Sequence, residues 1–290
     1  MLTTAHPAAN PRPFRRIVLT GAAGRLGRLL RAPLRALCDE LVLSDIVPLT
    51  EAPTGNETLQ PCDLADRAAL GRLLHGAQTV VHMGGIPLER DFDSLLPANI
   101  VGQYNLYDAA LAAGLSRVIL ASTNHVTGFY PCGETVTPSM PMRPDSLYAV
   151  SKGYGELLAS YYHDRHGLES VCLRIGACRE RPSDTRGMAV WLSPGDFVEL
   201  VRCALLADAP GCAVVYGVSD NPGCWWRGDD AERIGYQPRD SSARFAAELA
   251  APPPPAPGSG PALQGGVRVM LNDYRNPASF DLDPRLRKPA

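Results

Sequence analysis

The chain lacks an excess of either charge: 28 Lys and Arg stand against 30 Asp and Glu, a formal net charge of −2 over 290 residues. No global field therefore draws it to nucleic acid or to an anionic membrane. It lacks any apolar run near the ~20 residues that a membrane-spanning helix needs. Met1 to Pro13 carries Pro, Ala and Thr but no basic-then-apolar secretion pattern, so residues 1–13 read as a disordered leader. Eight cysteines are scattered at 38, 62, 132, 172, 178, 203, 212 and 224, and none forms a CxxC pair. Neither zinc nor a redox dithiol is indicated, and no metal is expected. Cys172 and Cys203 lie in apolar runs, where a free thiol is a small buried side chain. These features fit a reducing cytoplasm. No internal repeat is present beyond an alternation of strands and helices.

What is present is 45% apolar residues, ordinary for a soluble globular chain, and enough length for one large α/β domain with a minor lobe. The organising stretch is Arg16 to Gly27. Ile17–Leu19 reads as a short buried strand. Gly21, Gly24 and Gly27 follow at intervals of three, and Arg25 to Leu37 places Leu26, Leu29, Leu30, Leu34 and Leu37 near one helical face. Strand, glycine turn and helix are the context of a dinucleotide-binding fingerprint, here GxxGxxG. The turn brings backbone N–H groups and a helix N-terminus up to a pyrophosphate. A plain glycine-rich turn between packed elements is the competing reading.

Further strands are expected at Leu41–Asp45, Thr58–Cys62, Thr79–Met83, Val118–Ser122, Ser170–Ile175 and Ala213–Tyr216. Helices are expected up to about His75 and over 93–113, 148–166 and 194–207, with Gly114 and Gly167 closing two of them. Strands alternating with helices predict a Rossmann-type, doubly wound parallel sheet, α/β in class. Near-continuous apolar strands fit burial on both faces. Residues 14–249 read as this domain, with a small C-terminal substrate-binding lobe drawn mainly from 177–195 and 217–249. Residues 250–290 read as a proline-rich tail.

Asp45 lies about 20 residues past the glycines, at a strand end where an acid accepts from both adenosine ribose hydroxyls. It repels a 2′-phosphate and favours NAD over NADP, a preference that Arg25 and Arg28 could soften. Asp63-Leu64 is placed to meet the adenine, although Asp63 followed by Asp66 is equally a helix N-cap pattern. Gly84-Gly85 permits close backbone approach to a cofactor, or a plain turn. The deciding set is Ser122-Thr123-Asn124-His125 with Tyr148-Ala149-Val150-Ser151-Lys152. Tyr148 and Lys152 are four apart and share a helix face. A phenol has a pKa near 10, and a neighbouring ammonium lowers it. With a hydroxyl from the fifth strand's end, the set suits proton transfer coupled to hydride transfer at a nicotinamide.

These motifs resemble the extended short-chain dehydrogenase/reductases, from about Arg16 to Phe245. A closer likeness is to the bacterial NAD-dependent uronate dehydrogenases. It is carried by Leu19-Thr20-Gly21-Ala22-Ala23-Gly24, Cys62-Asp63-Leu64, Val81-His82-Met83-Gly84-Gly85-Ile86 and the stretch Asn99 to Tyr107. Ser122-Thr123-Asn124-His125, Leu173-Arg174-Ile175-Gly176, Trp191-Leu192-Ser193, Val215-Tyr216-Gly217 and Trp225-Trp226 also match. The resemblance implies oxidation of a hexuronate such as glucuronate or galacturonate at C1, giving an aldarolactone. It implies Tyr148 as base, Lys152 as its pKa-lowering partner and ribose ligand, and Thr123 as holder of the reacting oxygen. It implies cofactor contacts at Gly21, Gly24, Arg25, Leu26, Gly27, Asp45, Asp63, Leu64, Gly84, Gly85, Asn99, Ser122, Tyr148, Lys152 and Ile175. Substrate contacts fall on Thr123, Asn124, His125 and Arg186. A guanidinium fork suits a carboxylate; beside Arg179 and Arg181, Arg186 also reads as a surface-loop arginine. Pro87 and Ala177 stand where some members of the family have serines facing the sugar. Members of the family commonly form homo-oligomers, and Gln264-Gly265-Gly266 resembles their C-terminal end, which would dock on a neighbour.

The rival within enzymes is an NAD-dependent nucleotide-sugar epimerase or dehydratase, or another aldose dehydrogenase on the same scaffold. The short stretch after Lys152 favours a small free sugar acid over a nucleotide sugar. A non-catalytic NAD sensor is the rival outside enzymes; it predicts loss of the tyrosine or lysine, and both are present.

Overall fold

The computed structural model describes residues 12–249, 262–266 and 269. Most of the stretch read as a leader, and most of the tail, lie outside the described residues. Strand β1 (Phe14–Thr20) enters the glycine turn, and α1 (Arg25–Leu37) leaves it with the bounds that the leucine spacing predicts. Then come β2 (Cys38–Ser44), β3 (Glu57–Leu59), α2 (Arg67–Leu74) and β4 (Thr79–His82). The single helix expected over 93–113 is instead α3 (Phe92–Leu95), a π-helical turn (Leu96–Val101) and α4 (Gly102–Ala112). Pro97 has no N–H to continue the α ladder, and the wider turn takes over there. Strand β5 (Arg117–Thr123), α5 (Leu147–His166) and β6 (Glu169–Ile175) follow. The chain continues through β7 (Ala177–Cys178), α6 (Thr185–Val190), β8 (Trp191–Leu192), α7 (Pro194–Leu206) and β9 (Cys212–Gly217).

Seven strands form one parallel sheet in the order β3-β2-β1-β4-β5-β6-β9. The order reverses between β1 and β4, so a crevice opens at the carboxyl ends of those strands, where ligands bind in such sheets. Alternate residues serve opposite faces. Ile17 and Leu19 pack with Leu30 and Leu34 of α1 and Phe197 and Leu200 of α7. Val18, Val80 and Val118 pack with Leu70 of α2, Leu106 of α4 and Ala159 of α5. Both faces are covered, which is why the strands read as unbroken apolar runs.

Helix α5 is bounded by two local devices. Ser146 accepts from the N–H of Ala149 at its start, and Gly167 at φ 73 ends it. Beyond the sheet, β7 pairs with β8, and a separate cluster gathers Tyr130, Val136, Val190, Tyr216, Trp225 and Trp226. Residues 262–266 of the tail pack on this part of the same chain: Leu263 forms an antiparallel bridge with Pro131, and Gln264 is fully buried. No helix among the described residues is long and apolar enough to cross a membrane.

Candidate active site

The glycine turn lies at the switch point. Gly21 has φ +69, and a Cβ there would sit 2.5 Å from the Met83 carbonyl carbon. A Cβ on Gly27 would run into the Gly21 carbonyl oxygen, so glycine is what lets α1 approach the turn. Gly24 precedes α1 and makes no side-chain cap. The first-turn N–H groups, those of Arg25 and Leu26 among them, are therefore presented as an anion site would need. The Arg25 guanidinium donates to the Cys178 carbonyl, tying the turn to β7.

Asp45 follows β2 directly. Its carboxylate accepts from Ala23 N–H at 2.9 Å and Val47 N–H at 3.0 Å, so it is fixed against the turn. Asp66 is the N-cap of α2, whereas Asp63 accepts from Ala65 N–H at 2.9 Å and is exposed. The Asn105 amide holds the loop by donating to the carbonyls of Leu64 and Ala65, each at 3.1 Å. Gly84 and Gly85 follow β4; Gly85 has φ +110, and a Cβ there would lie 2.9 Å from Asn99 Oδ1 and 3.9 Å from Lys152 Nζ. Ile175 pairs with Thr123 at the adjoining strand ends. This cradle, built from positions where a side chain would not fit, suits an extended dinucleotide.

Tyr148 and Lys152 stand in the first turns of α5, with Lys152 Nζ 6.0 Å from the centre of the Tyr148 ring. Lys152 is buried, and burial pushes its pKa down to about 8. Thr123 ends β5, buried, with its hydroxyl accepting from His125 N–H at 3.3 Å. Asn99 sits on the π-helical turn, and its amide is committed to the backbone of Ile86 at 2.8 and 3.0 Å and to Ser151 Oγ at 3.0 Å. It thus clamps the loop after β4 to α5 at Ser151, between Tyr148 and Lys152. The Ser122 hydroxyl points to Glu156 on α5 at 2.5 Å, so any part it takes at the crevice falls to its backbone. Beneath the turn, His82 Nδ1 lies 2.7 Å from Thr20 Oγ1, and burial together with the Lys152 charge pushes its pKa down to about 3.

Past the end of β5, His125 Nδ1 is 2.6 Å from Asp145 Oδ2, and Ser146 Oγ donates to the other Asp145 oxygen at 3.0 Å. Asn124 is buried beside it. Arg186 lies in the first turn of α6, which Asp184 caps through Gly187 N–H, and its guanidinium donates to the Gln264 carbonyl. It is therefore a half-buried residue facing the packed tail segment.

Four residues that hold this site together were given no role from the sequence, although Arg174 lies in one of the motifs quoted above. Glu89 receives the N–H groups of Leu147 at 3.1 Å and Tyr148 at 2.9 Å, seating the start of α5. Asp145 pairs His125. Glu156 and Arg174 form a buried ion pair at 2.8 Å behind Ser122. Two signals existed. Glu156 continues the spacing of four from Tyr148 and Lys152, and Arg174 is a charge inside an apolar strand, which needs a partner.

The glycine cradle at the switch point, the strand-end acid and the helix that carries Tyr148 and Lys152 define a dinucleotide-binding α/β scaffold. The profile of the NAD dependent epimerase/dehydratase family matches residues 17–178, and the chain belongs to that family. It is 46% identical over 275 residues to a uronate dehydrogenase of Pseudomonas syringae pv. tomato, covering 94% of this chain and 99% of the relative. A mutant uronate dehydrogenase from Agrobacterium tumefaciens, solved in complex with NAD, superposes with a TM-score of 0.83 at 40% identity, covering 90% of this chain and 98% of that one. A glucuronic acid dehydrogenase from Chromohalobacter salexigens does so with a TM-score of 0.83 at 41% identity, over 89% and 97%.

Proposed function

We propose that this protein is an NAD-dependent dehydrogenase that oxidises a hexuronate, glucuronate or galacturonate, at C1 to the aldarolactone. The observation that carries this reading is an arrangement. Lys152 Nζ lies over the Tyr148 ring at the start of α5. Thr123, His125 and Asp145 are joined by hydrogen bonds, and residues 264–266 approach both Asp145 and the guanidinium of Arg186.

NAD, when bound, supplies the acceptor for the hydride that leaves C1. The chain's own residues do the rest. Gly21, Gly24, Arg25, Leu26 and Gly27 offer backbone N–H groups and close approach to the pyrophosphate. Asp45 accepts from the adenosine ribose hydroxyls and repels a 2′-phosphate. Asp63 and Leu64 border the adenine, and Gly84, Gly85, Ser122 and Ile175 line the path of the nicotinamide half. Asn99 positions the loop after β4. Lys152 donates to the nicotinamide ribose, and its ammonium stabilises the Tyr148 phenolate. Tyr148 takes the C1 hydroxyl proton while Thr123 holds the reacting oxygen. Loss of one hydride and one proton converts the C1 alcohol to the lactone carbonyl. Asn124 and His125 engage sugar hydroxyls, and Arg186 pairs with the carboxylate.

The nucleotide-binding domain spans 14–249 in this reading, its substrate lobe coming mainly from 177–195 and 217–249. The described cysteines are all free, which supports a reducing cytoplasm, and exposed apolar residues on α4 and α5 support a homo-oligomer. The test is an NADH absorbance assay across glucuronate, galacturonate, glucose and UDP-glucose, with NADP as control cofactor. Turnover of a uronate with NAD is expected. Preferential turnover of UDP-glucose would move the assignment to nucleotide sugars.

A further inference from the structure

The geometry points to residues 264–266 as a positioning strap that sets the Arg186 guanidinium for the substrate carboxylate and so governs selectivity for sugar acids. This rests on the uronate reading. Gln264 is fully buried although it comes from a proline-rich tail, and each polar atom of its side chain is paired. Its Oε1 accepts from Trp226 Nε1 at 2.9 Å, and its Nε2 donates to the carbonyls of Glu134 at 2.9 Å and Pro131 at 3.2 Å. One acceptor and two donors on one flat head are what a primary amide alone supplies. The backbone is tied as firmly: Gln264 N–H donates to the Tyr130 carbonyl at 2.8 Å and Gly265 N–H to the Gly128 carbonyl at 2.9 Å.

So anchored, the strap touches both halves of the sugar side. The Gln264 carbonyl accepts from Arg186 Nη2. Gly266, at φ +66, lies so near that a Cβ would sit 2.6 Å from Arg186 Nε, and a Cβ on Gly265 would collide with the Asp145 carboxylate that holds His125. A guanidinium carries five N–H donors, so accepting one of them orients the fork without exhausting it. A flexible arginine held in its binding geometry before substrate arrives loses less freedom on binding. The strap gives a tail segment remote in sequence a direct part in recognition.

The test compares wild type, Gln264→Ala, Gly265→Ala, Arg186→Ala and the double variant Gln264→Ala/Arg186→Ala in the full-length protein. For Gln264→Ala the expected result is a uronate KM raised about tenfold or more, with the KM for NAD and kcat changed by less than about threefold. Gly265→Ala, which keeps the Gln264 side chain, is expected to do the same by pushing the strap backbone away from Asp145. On the Arg186→Ala background, Gln264→Ala should add nothing further, because the two act through one contact. Equal rises in the KM for uronate and NAD, or additive effects in the double variant, overturn the strap. Hydrogen exchange of residues 184–190 separates this from the substrate reading. Exchange should quicken in Gln264→Ala whatever the substrate, and unchanged exchange overturns the strap. A wild-type enzyme that oxidises no uronate, with quickened exchange, removes the uronate reading and leaves the strap holding Arg186.

Discussion

At Tyr148 the proposed chemistry comes down to one proton. The residue sits where Glu89 receives its own N–H and where the buried Lys152 ammonium faces its ring. Replacing the phenol by a phenyl keeps the packing and removes the proposed acid–base group. Tyr148→Phe is expected to lower kcat by about a thousandfold or more while NAD binding stays within a few-fold; kinetics and a dinucleotide titration read the two separately. His82 gives a residue-scale prediction about pH. Its folded pKa is about 3, against 6.5 as the reference, because burial and the Lys152 charge both oppose a second proton. Between those values the unfolded chain binds a proton that the folded chain refuses, so stability falls as pH drops below 6.5. The loss amounts to about 2 kcal/mol by pH 5. Urea unfolding at pH 7.5 and pH 5 should show this extra loss in wild type and not in His82→Gln.

At the scale of elements, α5 is held to the sheet by charge as well as by apolar contact. Glu156 accepts from Ser122 of β5 and from Arg174 of β6, and Arg174 also donates to the Tyr216 hydroxyl of β9 at 3.0 Å. Arg174 is 1% exposed, so deleting its partner leaves a buried cation. Glu156→Leu should cost about 3–5 kcal/mol, and adding Arg174→Met should recover much of that, since an apolar pair fills the same space. Denaturant midpoints of the two variants decide it. Elements whose signals are local were legible in the sequence. Helix α1 is so because its leucines recur at helical spacing, and α5 because a glycine closes it. The parallel, doubly wound sheet follows from strands alternating with helices. What was not legible depends on partners far apart in the chain. Asp145 lies 20 residues from His125 and Glu89 lies 58 from Leu147, so neither spacing marks the pair. The π-helical turn that delivers Asn99 to Ile86 looks, in sequence, like part of one long helix. Gln264 lies beyond a proline-rich stretch that carries no periodic signal at all.

For the whole molecule, the homo-oligomer proposed above turns on the exposed side of α5. Val150, Leu157 and Tyr161 of α5 are 49%, 65% and 56% exposed, and Tyr104 of the adjacent α4 is 41% exposed. The opposite side of α5 carries the buried Ser151, Lys152 and Glu156. Grouped apolar exposure of this kind on two packed helices is what the proposed association surface would present. A second copy presenting the same two helices would cover it across a two-fold axis, each patch meeting itself. Light scattering should therefore find wild type at twice the chain mass or a higher even multiple. Leu157→Glu with Tyr161→Glu would set like charges against each other across that axis and is expected to give monomers. Because the patch lies on the back of the helix that carries Tyr148 and Lys152, the charged variant should also lose specific activity as the enzyme is diluted. Wild type that runs as a monomer at assay concentration, or a charged variant with unchanged mass, removes α4 and α5 as the interface.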